Sequence, residues 1–125
     1  MGELELSDQN FDLAFLLEIA DGSTEFIVES IDMFLVQTPD LMWAIYNAIK
    51  AEDRTLIAQS AHKLKPNLGF FGMLTGQAMM QEIEALAKSD ADFAAIEEKF
   101  VTVRGIIAPT IDKLKLIRDQ KAAEL

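Results

Sequence analysis

The sequence predicts an all-α protein, an up-and-down antiparallel four-helix bundle with two additional helices at its N-terminal side. Apolar residues make up half of the 125-residue chain and recur every three or four positions along most of it. This spacing is typical of amphipathic helices, and no stretch alternates apolar and polar residues as a half-buried strand would. Because only two to four residues separate the candidate helices, neighbouring helices are expected to be antiparallel.

Residues 1–125 are predicted to form a single domain, in which residues 1–8 are a loose, acidic lead-in. The length suits one hydrophobic core. A first short helix is expected over residues 10–20, because its apolar residues repeat at helical spacing and Asp21-Gly22 follows as a stop signal.

The second and third predicted helices are divided at Thr38-Pro39. Ser23 or Thr24 can cap the second helix, which is expected to end just before this pair. A hydroxyl N-cap followed by proline at the first helical position is a pattern that begins a helix. The third helix is therefore predicted from Pro39 to about Glu52.

Three further helices complete the prediction. Asp53 is expected to cap a helix over residues 54–70, and Gly69 and Gly72 are expected to close it and to open the turn that follows. The next helix is predicted over residues 74–88. The last is predicted to start at Asp90 or Asp92 and to run to about Ala122, because its apolar spacing continues for some seven turns.

Charge and composition argue against several functions. The formal net charge of −10 disfavours binding to nucleic acid or to an anionic membrane surface. The chain has no cysteine and one histidine, so a metal site would have to be built from carboxylates, and no loop is spaced for one. No apolar run approaches the roughly 20 residues that span a bilayer. A soluble cytoplasmic protein without a metal is expected.

His62 is the only histidine, and its helical phase turns it toward solvent. At roughly 100° per residue it points about 140–150° away from the apolar seam of its helix. A lone histidine can also be a hydrogen-bonded core residue or an idle surface residue, and the phase disfavours only the first of these. The seam recurs at spacings of four, three, four and three, in Ile57, Ala61, Leu64, Leu68 and Phe71.

The surroundings of His62 suit an acceptor of a phosphoryl group. Neutral imidazole is a good nucleophile near pH 7, because its unperturbed pKa is about 6.5. Lys65 lies on the same side of the helix and could stabilise the phosphoryl charge, whereas Lys63 is turned about 100° away. Pro66 has no N–H to donate to the carbonyl of His62, so a kink is expected directly after the histidine.

Spacing argues against other catalytic arrangements. The glycines at positions 69, 72 and 76 do not match a nucleotide-binding loop, and no lysine follows them. Glu82 and Glu84 cannot share one helix face, so paired-carboxylate catalysis is not expected. Ser60 and His62 also point in different directions. The other acidic residues are expected to form a solvated surface.

The segment Ala61-His62-Lys63-Leu64-Lys65 resembles the histidine-containing phosphotransfer (HPt) domain family. Gly72, ten residues beyond the histidine, and Ile83-Glu84, one helix later, agree with the same pattern. The specific match covers residues 61–84, and a looser match in helix lengths covers about residues 24–121. The chain departs from the family pattern where glycine, a small polar residue and leucine are usual, at Pro66, Asn67 and Gly76.

The resemblance implies both a function and a set of site residues. Members of this family are four-helix bundles that carry a phosphoryl group on an exposed histidine between receiver-domain aspartates, or from a hybrid sensor histidine kinase to a response regulator. His62 would accept the group through its outer ring nitrogen, and Lys65 would assist by charge. The protein would be a relay intermediate rather than an enzyme, with no ATP site or cofactor of its own, and magnesium would belong to the partner receiver.

The resemblance also implies that a receiver domain docks on the surface around the histidine. For Phe70, burial in the core is the alternative. The predicted docking residues are Ala58, Gln59, Lys63, Pro66, Gly69 and Phe70.

Two alternative functions remain open. The dimerisation helix of a histidine kinase also has a proline after its histidine, but its next residue is normally acidic, whereas here it is Lys63. The chain also has no room for an ATP-binding lobe. A helical adaptor that binds a partner through an apolar groove and never handles phosphate is the second alternative. Exposure of the His62 ring discriminates, because a buried ring would favour the adaptor.

Overall fold

Five helices form the described part of the chain, residues 4–125 of a computed structural model. Within these residues no strand forms, and one isolated bridge pairs Ser7 with Asp12. The all-α prediction is therefore confirmed. The helices are α1 (Ala14–Ala20), α2 (Thr24–Lys50), α3 (Arg54–Phe70), α4 (Leu74–Ala87) and α5 (Phe93–Ala122).

The four longer helices pack in a ring around the hydrophobic core. α2 contacts α3, α3 contacts α4, α4 contacts α5, and α5 returns to α2, while α1 contacts α2. Each helix contributes fully buried apolar side chains to one cluster, so burial of these seams holds the ring together. Examples are Leu16 on α1, Ile31 on α2, Leu64 on α3, Ile83 on α4 and Val103 on α5.

The predicted restart at Thr38-Pro39 is wrong, because α2 continues through Pro39 as one helix of 27 residues. An interior proline removes one helical hydrogen bond. Pro39 is exposed, however, and the buried face of α2 continues on both sides of it through Phe34, Thr38 and Met42, so packing of that face keeps the helix whole. One additional helix, α1, therefore packs at the N-terminal side instead of the two predicted.

The first helix is also shorter than the predicted 10–20, because side-chain bonds compete with helix formation before Ala14. The Asp8 carboxylate accepts hydrogen bonds from the backbone N–H groups of Asn10 (2.7 Å) and Phe11 (3.1 Å). The Leu13 N–H donates to the Leu6 carbonyl at 3.0 Å. The looseness predicted for residues 1–8 stays a prediction, and residues 1–3 lie outside the described part.

The turn between α3 and α4 is fixed against the segment that precedes α1. The Asp12 N–H donates to the Phe71 carbonyl at 3.1 Å. Gly72 has a φ of 65° and lies so close to Asp12 that a Cβ would be 2.2 Å from its carbonyl oxygen. This contact sets where α4 begins relative to the end of α3. Across residues 4–125 no helix is long and apolar enough to cross a membrane.

Candidate functional site

His62 projects from α3 into solvent. The Asp53 side chain caps α3 by accepting from the Leu56 N–H at 3.1 Å, as the sequence predicts. The helix buries Ala61 and Leu64, and this leaves the His62 side chain 68% exposed. α3 runs without a break through Pro66.

Glu84 on α4 is buried next to His62, and its carboxylate contacts His62, Lys65 and Lys88. Its side chain is only 6% exposed, and Oε2 lies 3.1 Å from His62 Nδ1 and 3.0 Å from Lys88 Nζ. The other oxygen, Oε1, lies 2.6 Å from Lys65 Nζ. The hydrogen bonds from Lys65 and then Lys88 lower the pKa of Glu84 to about 2, although burial acts in the opposite direction. Glu84 is therefore ionised at neutral pH.

The Glu84 contact assigns the tautomer of a neutral His62. An ionised carboxylate can only accept hydrogen bonds, so the ring nitrogen that faces it, Nδ1, must carry the proton. The other nitrogen, Nε2, then holds an unprotonated lone pair on an exposed ring. The contact with Glu84 therefore orients an exposed ring whose lone pair lies on the nitrogen that does not face the carboxylate.

Lys65 lies on the same side of α3 as His62, as its spacing predicts. Its ammonium contacts Glu84 and also Gln81, whose Oε1 is 2.6 Å from Nζ. The Lys65 side chain is 19% exposed, so most of it is buried against its neighbours while part of it reaches solvent. Lys65 and His62 both line one open hollow of about 410 Å³.

The six predicted docking residues differ in exposure. Gln59, Lys63 and Pro66 are exposed, whereas Ala58 is only 7% exposed and lines a second hollow of about 600 Å³ on the other side of His62. Gly69 is half-buried. Phe70 is also half-buried, with its ring centroid 5.4 Å from that of Phe15. Ala58 offers little contact area for a partner.

Comparison with known proteins identifies the family. The family model for the Hpt domain matches residues 29–116, which is more than half of the chain and includes every site residue described above. The chain belongs to the Hpt domain family. The HPt domain of an Hpt sensor hybrid histidine kinase from Shewanella has the same fold, with 21% sequence identity, 93% of each chain covered and a TM-score of 0.62. No curated protein sequence matches.

Membership supports a phosphotransfer role in a phosphorelay, since Hpt domains are phosphoryl carriers that have no ATP site of their own. The same membership implies partners from two-component systems, such as receiver domains.

In residues 4–125 of this Hpt domain, no three His, Cys, Asp or Glu side chains come together to hold a metal ion.

The sequence indicated Glu84 only as part of the family pattern, and its contacts with His62 and Lys65 were not predicted. Glu84 is the one charged residue among the buried side chains of the described chain. A signal was present, because Met80, Ile83 and Ala87 are buried on the same face of α4 and enclose position 84 at helical spacing. An acidic residue at an inward position needs partners, and α3 supplies two of them.

We expect Glu84 to make the stability of this Hpt domain depend on pH between about 4.5 and about 2. Its pKa is lowered in the folded state from 4.5 to about 2, so its stabilising contribution is complete above 4.5 and is lost as the pH falls through about 2. Glu84→Gln removes this titration. Urea unfolding at pH 7, 4 and 3 should show the difference between wild type and variant narrowing as the pH falls. A difference that stays constant would contradict this assignment.

Proposed function

We propose that this Hpt domain is a histidine phosphotransfer protein of a multistep two-component phosphorelay. His62 accepts a phosphoryl group from the aspartate of a receiver domain, such as that of a hybrid sensor histidine kinase, and passes it to the receiver of a response regulator. The observation that carries the proposal is the exposed imidazole whose inner nitrogen donates to a buried, ionised carboxylate. The domain is proposed to work as an up-and-down four-helix bundle in the cytoplasm.

The geometry supports a direct displacement at phosphorus. The Nε2 lone pair of His62 attacks the phosphorus of the receiver's aspartyl phosphate, and an N–P bond forms as the bond from phosphorus to the aspartate oxygen breaks. The aspartate leaves as a carboxylate. Nδ1 keeps its proton, and the positive charge that develops on the ring is stabilised by Glu84 at 3.1 Å. The second transfer is the same displacement in reverse.

The charges around Glu84 favour the incoming phosphoryl group. One carboxylate is shared by the ammonium groups of Lys65 and Lys88, so the three side chains together carry one net positive charge. A phosphoryl group brings negative charge to the neighbouring ring, which this excess partly balances. Lys65 is proposed to contact the phosphoryl oxygens. Any magnesium is expected on the receiver.

The receiver is proposed to dock over the face of α3 that carries His62. Gln59, Lys63 and Pro66 are exposed around the ring, and the hollows on either side leave it accessible. The adaptor alternative gains no support, because a buried ring would favour it and the His62 side chain is 68% exposed.

Transfer from a phosphorylated receiver tests the proposal. Receiver domains from the same genome are labelled on their aspartate with radioactive phosphate and mixed in turn with the folded Hpt domain. We expect label to appear on the Hpt domain with the stability of phosphohistidine, which is lost in acid and kept in base. Failure with every receiver, while the domain is folded, would reject the phosphotransfer function and favour the adaptor.

A further inference from the structure

We propose that Gln77 and Gln81 on α4 are positioning residues that hold Lys65 ready for the phosphoryl group on His62, an inference that rests on the proposed function. Both glutamines share one stripe of α4 with Glu84 and Lys88, at spacings of four, three and four residues. We call these four residues the polar ladder. It faces the part of α3 that carries His62 and Lys65.

The first contact of the polar ladder fixes the ammonium of Lys65. Gln81 Oε1 lies 2.6 Å from Nζ, and Glu84 Oε1 lies 2.6 Å from the same nitrogen. An ammonium has three N–H donors. One donates to Gln81, and the ion pair with Glu84 draws the same nitrogen toward α4, so donor capacity remains for a phosphoryl oxygen. Both Lys65 and Gln81 line the hollow beside His62, which is where such an oxygen would arrive.

The second contact fixes the backbone that carries Lys65. Gln77 Nε2 donates to the Lys65 carbonyl at 3.0 Å. The space for this side chain comes from Gly69, because a Cβ at that position would lie 2.4 Å from Gln77 Nε2. Because Gly69 has no side chain, the Gln77 side chain of α4 can lie against α3 and reach the Lys65 carbonyl.

Holding Lys65 at both ends has a consequence for transfer. A free lysine has a long flexible side chain and loses conformational freedom when it binds a phosphoryl group. The contacts with the polar ladder restrict the Lys65 side chain before the phosphoryl group arrives. Less conformational entropy is therefore lost when Lys65 binds that group. Gln81 is exposed, so it contributes little burial to the fold, and its effect is expected on transfer rather than on stability.

A double-mutant cycle tests this role. Gln81→Met keeps the side-chain length but removes the oxygen, and it should lower the rate of phosphoryl acceptance by about tenfold, the scale of one hydrogen bond to a charged group. In a Lys65→Met background the same change should have no further effect, because Gln81 acts through Lys65. Gln77→Met should behave in the same way with a smaller loss. Gln9→Met, an exposed glutamine outside the polar ladder, is the matched control and should leave the rate unchanged.

The outcomes separate this inference from the proposed function. Equal rates for wild type and Gln81→Met would overturn the positioning role, and so would a tenfold loss that persists without Lys65. A wild-type domain that accepts no phosphoryl group on His62 would overturn the proposed function, and this inference with it.

Discussion

His62→Gln should abolish phosphoryl acceptance and leave the fold intact. Glutamine has no nucleophilic nitrogen, so the displacement at phosphorus has no attacking atom. Since the His62 side chain is 68% exposed, its replacement removes almost no buried surface. Transfer of radioactive phosphate from a phosphorylated receiver measures acceptance, and urea unfolding followed by circular dichroism measures stability.

Lys115→Gln is the control for this experiment, because it also places glutamine on an exposed helical position but lies on α5, away from the site. We expect it to accept label at the wild-type rate. Label on the His62→Gln variant that is as acid-labile as that on wild type would show that His62 is not the acceptor.

Gly72→Ala should reduce the free energy of unfolding by about 3 kcal/mol or more, for two additive reasons. A φ of 65° is strained for any residue with a Cβ. The new Cβ would also lie 2.2 Å from the Asp12 carbonyl oxygen and 2.7 Å from its nitrogen, and these backbone atoms cannot move aside as a flexible side chain could. The hydrogen bond from Asp12 to Phe71 would be displaced. Urea unfolding measures the loss.

Two other glycines separate the two causes. Gly22 has a φ of 87°, and no atom lies within 4 Å of the place that an alanine Cβ would take, so Gly22→Ala should cost only the backbone strain, about 1–2 kcal/mol. Gly105 lies inside α5 with open space around it, so Gly105→Ala should be neutral or stabilising by up to about 1 kcal/mol. A Gly72→Ala loss no larger than that of Gly22→Ala would contradict the close approach of Asp12.

The sequence predicted those parts of the fold that depend on signals within one helix. Asp53 caps α3 as expected, and the apolar spacing of α3 places Ala61 and Leu64 inward. At Thr38-Pro39 the local pattern was misleading. A hydroxyl residue followed by proline often begins a helix, but the pair can also lie within a helix. In α2 it does so because a continuous buried face packs against the neighbouring helices. That packing involves other helices and could not be derived from the local pattern.

The same distinction applies to the candidate site. The direction of His62 follows from helical phase alone, so the sequence could predict it. The role of Glu84 depends on how α4 lies against α3, because its partners His62 and Lys65 are about twenty residues away in sequence. Sequence spacing carries no distance between two helices. The contacts of Gln77 and Gln81 were out of reach for the same reason.

The nitrogen of His62 that carries the phosphoryl group is the most direct test of the account. The Glu84 contact keeps the proton on Nδ1 and leaves Nε2 as the nucleophile. NMR of the ¹⁵N-labelled domain after transfer from a phosphorylated receiver distinguishes the two ring nitrogens. We predict a phosphoryl group on Nε2 of His62 and a proton retained on Nδ1. A phosphoryl group on Nδ1, or an imidazole that stays unmodified after transfer, would contradict the account.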